Sequence, residues 1–268
     1  MRALIMSDLH LDINKEILNG NVKSDYLKWL NRQIYDVLIL AGDLAGDATA
    51  ALKLIEEIKE TTRRAVYFIA GNHDVWVPKE ANSSWEAYHS MNENESCISS
   101  PIKIGDYTMI GGMGWYDYSL GYSHVTMNHF KEQKKHLRKD SIYARWEMDD
   151  KEVVDKMLNQ WQHQLDNHRS DRVIFINHFI PYKDFITWHT DNEELNFCNA
   201  YMGSERIGEL LDNYKNIEYV IFGHTHQRYG IVDYRGKKII CQPFGLVTDW
   251  EGNSMVEELD RVATFIDL

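Results

Sequence analysis

The chain has 268 residues, 44% of them apolar and 26% charged, a globular composition that excludes a fibrous or disordered protein. Its 41 Asp and Glu against 29 Lys and Arg give a formal charge of −12, which argues against a basic surface wrapping duplex nucleic acid. The charge leaves room for a polyanionic substrate held by metal ions, and the twelve histidines keep that exception open.

The amino terminus has one Arg, a short apolar stretch and then Asp8 and His10. It reads as a first strand, Arg2–Met6, and lacks the longer apolar core and small-residue cleavage site of a signal peptide. A helix follows over 24–33 with Ser24 as its N-cap, then a strand over 37–40. Residues 48–60 read as a helix with Leu52, Ile55 and Ile58 on one face. Ala65–Ile69, 107–110, 173–176 and 219–222 are further apolar runs of strand length, of the kind buried on both faces. Residues 228–233 and 237–242 flank the turn Tyr234-Arg235-Gly236 and read as a hairpin, and 262–266 as a last strand. Residues 114–171 differ: they show no strand pattern and two helical pieces, over 128–139 and 147–168. They are read as a mainly helical insertion in one domain spanning 1–268. Strands and helices in this order suggest two packed sheets with helices outside. No apolar run approaches the roughly 20 residues of a membrane span. The cysteines Cys97, Cys198 and Cys241 are widely spaced without a CxxC, which points to a reducing cytoplasm.

Five polar clusters each follow a strand-like run: Asp8-Leu9-His10, Gly42-Asp43, Gly71-Asn72-His73-Asp74, Asn177-His178 and Gly223-His224-Thr225-His226. Strand ends of an α/β sheet lie close together, so residues more than two hundred positions apart can share one site. Asp and His ligate divalent first-row metals, and Asn can offer a carbonyl oxygen. The seven candidates Asp8, His10, Asp43, Asn72, His178, His224 and His226 exceed what one four-coordinate ion requires. They suit two ions sharing a carboxylate, an arrangement that clamps phosphoryl groups and activates water.

The ordered set DLH, GDL, GNHD, NHF, GHTH resembles the calcineurin-like metallophosphoesterase superfamily, whose pattern is DxH, GD, GNH(D/E), a later His often written GH, and GHxH. The resemblance runs from Met1 to about Gln227 and implies a four-layer α/β/β/α sandwich. It implies that Asp8, His10, Asp43 and His226 hold one metal, that Asp43, Asn72, His178 and His224 hold the other, and that Asp43 is the bridge. By the same resemblance His73 faces the leaving group or a phosphate oxygen, and Asp74 orients His73. Two departures stand out. Asn177 occupies the place where glycine is common, and no tyrosine follows Asp43 as in purple acid phosphatases, which argues against a tyrosinate-bound ferric centre. Mn, Fe, Zn, Co and Ni all remain candidates.

The expected activity is hydrolysis of a phosphomonoester or phosphodiester by metal-activated hydroxide, on a small phosphate-ester substrate and without extended nucleic-acid binding or a membrane partner. A catalytically poor member acting as a metal-bound scaffold is a rival, but such members usually lose ligands. A nuclease would require basic grooves that the composition does not suggest. Trp115 and Tyr116 either pack the insertion on the core or flank the substrate, and His189 is a candidate cleft residue. Arg63-Arg64 and the basic run over 131–139 read as solvated, and residues 248–258 as an exposed loop.

Overall fold

In the computed structural model, which describes residues 1–78 and 83–268, the apolar runs form two sheets. The strands are β1 (Arg2–Met6), β2 (Val37–Ala41), β3 (Ala65–Ile69), β4 (Ile102–Ile104), β5 (Tyr107–Gly112), β6 (Arg172–Asn177), β7 (Ile217–Ile221), β8 (Gly230–Tyr234), β9 (Lys237–Cys241) and β10 (Thr264–Asp267). The helices are α1 (Leu11–Leu18), α2 (Val22–Arg32), α3 (Ala48–Thr62), α4 (Ser84–Asn92), α5 (Met127–Leu137), α6 (Asp140–Tyr143), α7 (Asp150–Asn167), α8 (Glu193–Cys198), α9 (Glu205–Asp212) and α10 (Met255–Val262). One sheet runs β10-β1-β2-β3 and the other β4-β5-β6-β7-β9-β8. β1, β2 and β3 are mutually parallel, as are β5, β6, β7 and β9, while β10, β4 and β8 close the edges antiparallel.

Strand alternation explains the layering. Val37, Ile39 and Ala41 point to one face of β2 and pack with Ala3, Ile5 and Ile69 against Met109, Ile174, Ile176, Ile221 and Ile240 of the other sheet. Leu38 and Leu40 point the other way and join a helix-covered core with Tyr26, Trp29, Leu54 and Ile55. On the second sheet Phe175 turns outward and meets Trp161 of α7 edge-to-face, ring centroids 5.1 Å apart. The result is a mixed α/β fold of two sheets flanked by helices. No helix among the described residues is long and apolar enough to cross a membrane.

Several boundaries move from the sequence reading for identifiable reasons. α2 starts at Val22 after Asn21, with Ser24 inside its first turn, because the buried Val22 draws the helix start inward. The short α1, β4, α4, α8 and α9 lack the long periodic signal that reveals α3 and α7. Residues 248–258 are no exposed loop. A turn over Val247–Asp249 and the start of α10 occupy them, and Glu258 is fully buried. The hairpin between β8 and β9 turns on Arg235 and Gly236, both at positive φ (48° and 78°), the geometry two-residue hairpins favour.

Replacing Ile39 by Ala removes a fully buried side chain between the sheets and is expected to destabilise the protein by about 2–5 kcal/mol in chemical denaturation. Ile231→Ala on edge strand β8, where Ile231 is 49% exposed, is expected to stay within about 0.5 kcal/mol of the parent. Equal effects of the two changes would contradict this assignment of the core.

Candidate metal centre

The five polar turns leave the carboxyl ends of parallel strands in both sheets and meet. Asp8 and His10 follow β1, Asp43 follows β2, Asn72 to Asp74 follow β3, His178 follows β6, and His224 and His226 follow β7. Backbone bonds fix neighbouring turns: Asp8 N–H donates to the Gly42 carbonyl (2.9 Å), His10 N–H to the Asp43 carbonyl (3.2 Å) and Gly223 N–H to the His178 carbonyl (3.0 Å). Across the sheets, His224 N–H donates to Asp8 Oδ1 (3.0 Å).

Close approach constrains the backbone. Asp8, His10, Asp43, His224 and His226 all have positive φ, between 41° and 67°. Asp, Asn and His tolerate this region better than bulkier residues, and such strain gathers at functional sites. Gly42, at φ 87°, could carry no side chain, since a Cβ there would lie 2.7 Å from His178 Nδ1. A Cβ at Gly71 would collide with Asp43 Oδ1.

The side chains converge on Asp43. Its Oδ2 lies 3.3 Å from His178 Nε2, 3.5 Å from His10 Nε2 and 4.0 Å from His73 Nε2. Asp8 Oδ1 lies 3.6 Å from His226 Nε2 and 4.0 Å from His178 Nε2, and the His10 and His226 Nε2 atoms face each other at 3.1 Å. Three groups have ligand atoms within 4.8 Å of one another: Asp8–His10–His226, His10–Asp43–His73 and Asp43–His178–His224.

Three of the histidines have a second ring nitrogen anchored. His178 Nδ1 bonds the Ala41 carbonyl (2.9 Å), His226 Nδ1 bonds Asp249 Oδ2 (2.7 Å), and His224 Nε2 bonds the Tyr201 carbonyl (3.3 Å). Such partners fix tautomer and ring orientation in metal sites. Burial holds His10 and His224 well below the usual histidine range, so both rings are the neutral form that ligates metal. Burial alone would raise Asp43, but His178 and then His73 hold it well below the usual carboxylate range. Burial disfavours charge on His178, yet the Asp43 carboxylate outweighs it and lifts the ring to about 9.

Asn72 completes the set through the insertion. Its Nδ2 donates to Asp140 Oδ1 (3.0 Å), which leaves its buried Oδ1 without a hydrogen-bond partner among the described residues. Asp140 Oδ1 also accepts from Trp76 Nε1 (2.8 Å), and the Trp76 ring stacks on His73 at 3.7 Å between centroids. An orphaned amide oxygen amid carboxylates and imidazoles is a donor set suited to divalent first-row cations.

Some expectations need correction. Asp74 does not orient His73: its Oδ1 accepts from Leu44 N–H (2.9 Å) and Ala45 N–H (3.0 Å), and its Oδ2 from Gly71 N–H (2.8 Å). It ties the second and third turns together. Trp115 and Tyr116 are fully buried and flank no substrate; Trp115 Nε1 donates to Asp150 Oδ1 (2.7 Å) and Tyr116 OH to Asp140 Oδ2 (3.3 Å). Asn177, in place of glycine, donates to the Phe179 carbonyl and leaves His178 in place. His189 does line the cleft above the cluster, a space of about 630 Å³ shared with Asn72, His73, Ile186, Arg138 and Met202. The run over 131–139 is only partly solvated: Lys134 pairs with Asp150 at 2.7 Å and Arg138 faces the cleft. Asp140, Trp76 and Asp249 were missed, since none belongs to a recognisable spacing.

A family model of calcineurin-like phosphoesterases matches residues 1–228. No curated protein matches the chain in sequence. Among solved structures, the phosphopantetheinyl hydrolase of Mycobacterium tuberculosis is similar at 16% identity and TM-score 0.73, over 94% of this chain and 93% of that one. A dimetal phosphatase from Danio rerio is similar at 13% identity and TM-score 0.49, over 96% of this chain and 88% of that one.

Two measurements test the centre. Asp249→Asn is expected to weaken Mn²⁺ binding about 10–100-fold by titration calorimetry; unchanged affinity would remove Asp249 from the site. Because His178 is lifted to about 9 without a cation, it carries a proton at neutral pH that a metal must displace. Calorimetry in buffers of different ionisation enthalpy should show proton release at pH 7, with apparent affinity rising toward pH 9. A pH-independent affinity would contradict this.

Proposed function

The chain belongs to the calcineurin-like phosphoesterase family, and from that premise we propose that it is a dinuclear metal-dependent phosphoesterase acting on a small phosphate ester. The observation that supports the reading most is the position of Asp43. Its Oδ2 stands 3.5 Å from His10, in the group with Asp8 and His226, and 3.3 Å from His178, in the group with His224. One ion would be held by Asp8, His10, Asp43 and His226, and the other by Asp43, Asn72, His178 and His224. Bound divalent ions supply Lewis-acid charge to phosphoryl oxygens and lower the pKa of water. Mn, Fe, Zn, Co and Ni all suit these oxygen and nitrogen donors.

The chain's own residues do the rest. Asp43 and Asp8 hold the charge of the centre, and the anchors on His178, His224 and His226 keep their free nitrogens aimed inward. His73 is 20% exposed at the cleft floor, unlike the buried His10 and His178. Stacked on Trp76, it would hydrogen-bond the leaving oxygen and pass it a proton. Ile180, Ile186, Leu195 and Met202 give the cleft an apolar lining for the ester's organic part, with His189 at its edge. The cysteines Cys97, Cys198 and Cys241 are free, which suits a reducing compartment such as the cytoplasm.

Hydrolysis of p-nitrophenyl phosphate, its bis ester and a phosphopantetheinyl ester provides the test. EDTA treatment is expected to abolish turnover and added Mn²⁺ to restore it. His73→Gln should lower kcat by about 10²–10⁴-fold while metal affinity stays unchanged. Full activity in metal-free protein, or wild-type kcat in the variant, would overturn the corresponding assignment.

A further inference from the structure

Two arginines line the cleft, and they differ in one respect. Arg228 is fully engaged: Nη1 donates to the Asp249 carbonyl (2.8 Å), Nε to the Pro243 carbonyl (3.2 Å) and Nη2 to the Phe244 carbonyl (3.1 Å), and the buried Glu258 pairs with it at 2.7 Å. Arg138 follows the last residue of α5 and is half-buried in the cleft wall. Among the described residues, no carboxylate lies within 4.0 Å of its guanidinium and no acceptor bonds it. A half-buried guanidinium without an anion, in a cleft lined also by Asp43, Asp249, Glu251 and four histidines, has the chemistry to contact an anion there.

Its position is fixed from both sides. Arg138 caps α5, its N–H bonded to the Lys134 carbonyl (3.0 Å), and Lys134 is itself held by Asp150 at 2.7 Å. Two residues on, Asp140 bonds Asn72 and Trp76. Arg138 thereby shares the cleft wall with Asn72, His73 and His224.

We propose that Arg138 binds a non-bridging phosphoryl oxygen of the substrate and biases the cleft toward the dianion of a phosphomonoester over the monoanion of a diester. This rests on the phosphoesterase reading. The insertion thereby supplies a specificity determinant that the five turns lack. A fixed positive charge interacts more strongly with two negative charges than with one, and a planar guanidinium suits the tetrahedral oxyanion.

Titration of inorganic phosphate into the protein, with and without Mn²⁺, gives a readout independent of turnover. Arg138→Gln is expected to weaken phosphate binding about tenfold or more, with Arg138→Lys intermediate and the melting temperature of both within two degrees of the parent. In turnover, Arg138→Gln should raise KM for p-nitrophenyl phosphate with little change in kcat. The ratio of kcat/KM for that monoester to kcat/KM for the bis ester should fall. Wild-type phosphate affinity in Arg138→Gln, or an unchanged ratio, would overturn the proposal. If the parent protein hydrolyses neither ester, the phosphoesterase reading fails while phosphate titration still tests Arg138.

Discussion

Everything in this structure answers to one electrostatic constraint: a buried carboxylate, Asp43, is shared by histidines from three other turns. Its Oδ2 lies 3.3 Å from His178 and 3.5 Å from His10, with His73 at 4.0 Å. Buried charge is costly unless it is paired and hydrogen-bonded. Here the pairing comes from both sheets, so the sheets must be registered to within a fraction of an ångström at their carboxyl ends. The apolar layer of Ile39, Ile176, Ile221 and their neighbours sets the spacing of the sheets. The bond from His178 Nδ1 to the Ala41 carbonyl stitches the second sheet to the first directly beneath the site.

Meeting that constraint costs conformational energy in the turns. Five residues of the cluster hold positive φ, a strain of order 1–3 kcal/mol each for a non-glycine residue in a sparse region. Gly42 and Gly71 are small because the ligands pass over them. Asp74 stabilises the same loops from below, its two oxygens collecting three backbone N–H groups from Leu44, Ala45 and Gly71. Burial and the nearby Asp43 push its carboxyl up, to about 8, against the pull of those donors. Asp74 thus holds the scaffold that positions Asp43, and His73 takes its orientation from Trp76.

The cluster was legible in the sequence because its chemistry is local in the chain. Asp-x-His, Gly-Asp and Gly-His-x-His each place donors within five residues of an apolar strand, and buried parallel strands announce themselves as unbroken apolar runs. The supporting shell was not legible. Asp140 lies 68 positions from Asn72, and Asp249 lies 23 from His226. Neither stands in a pattern that distinguishes it from a solvated acid. The aromatic run Trp115-Tyr116 failed for the opposite reason: aromatic side chains that could flank a ligand are equally suited to a core. Their polar tips find Asp150 and Asp140 in the interior. Long helices are visible for their periodicity and inner strands for their unbroken apolar runs, whereas α1, β4 and α8 are too short to carry either signal.

The insertion draws these threads together. Composition makes it look peripheral, a charged and aromatic stretch between two strands of the second sheet. In the structure its α6 carries Asp140, whose carboxylate sets the Asn72 amide and, through Trp76, the plane of His73. The residue two positions earlier faces the cleft. A segment that fixes both a candidate ligand and a candidate proton donor cannot shift without moving the chemistry, so the insertion is mechanically part of the site. The same coupling explains how a chain of charge −12 can receive an anion. Asp43 is paired with His178, Asp249 with His226 and Glu258 with Arg228, while Arg138 in the cleft wall has no carboxylate within 4.0 Å among the described residues. Net charge governs the protein's long-range field; the substrate meets only the pairings left incomplete where it binds.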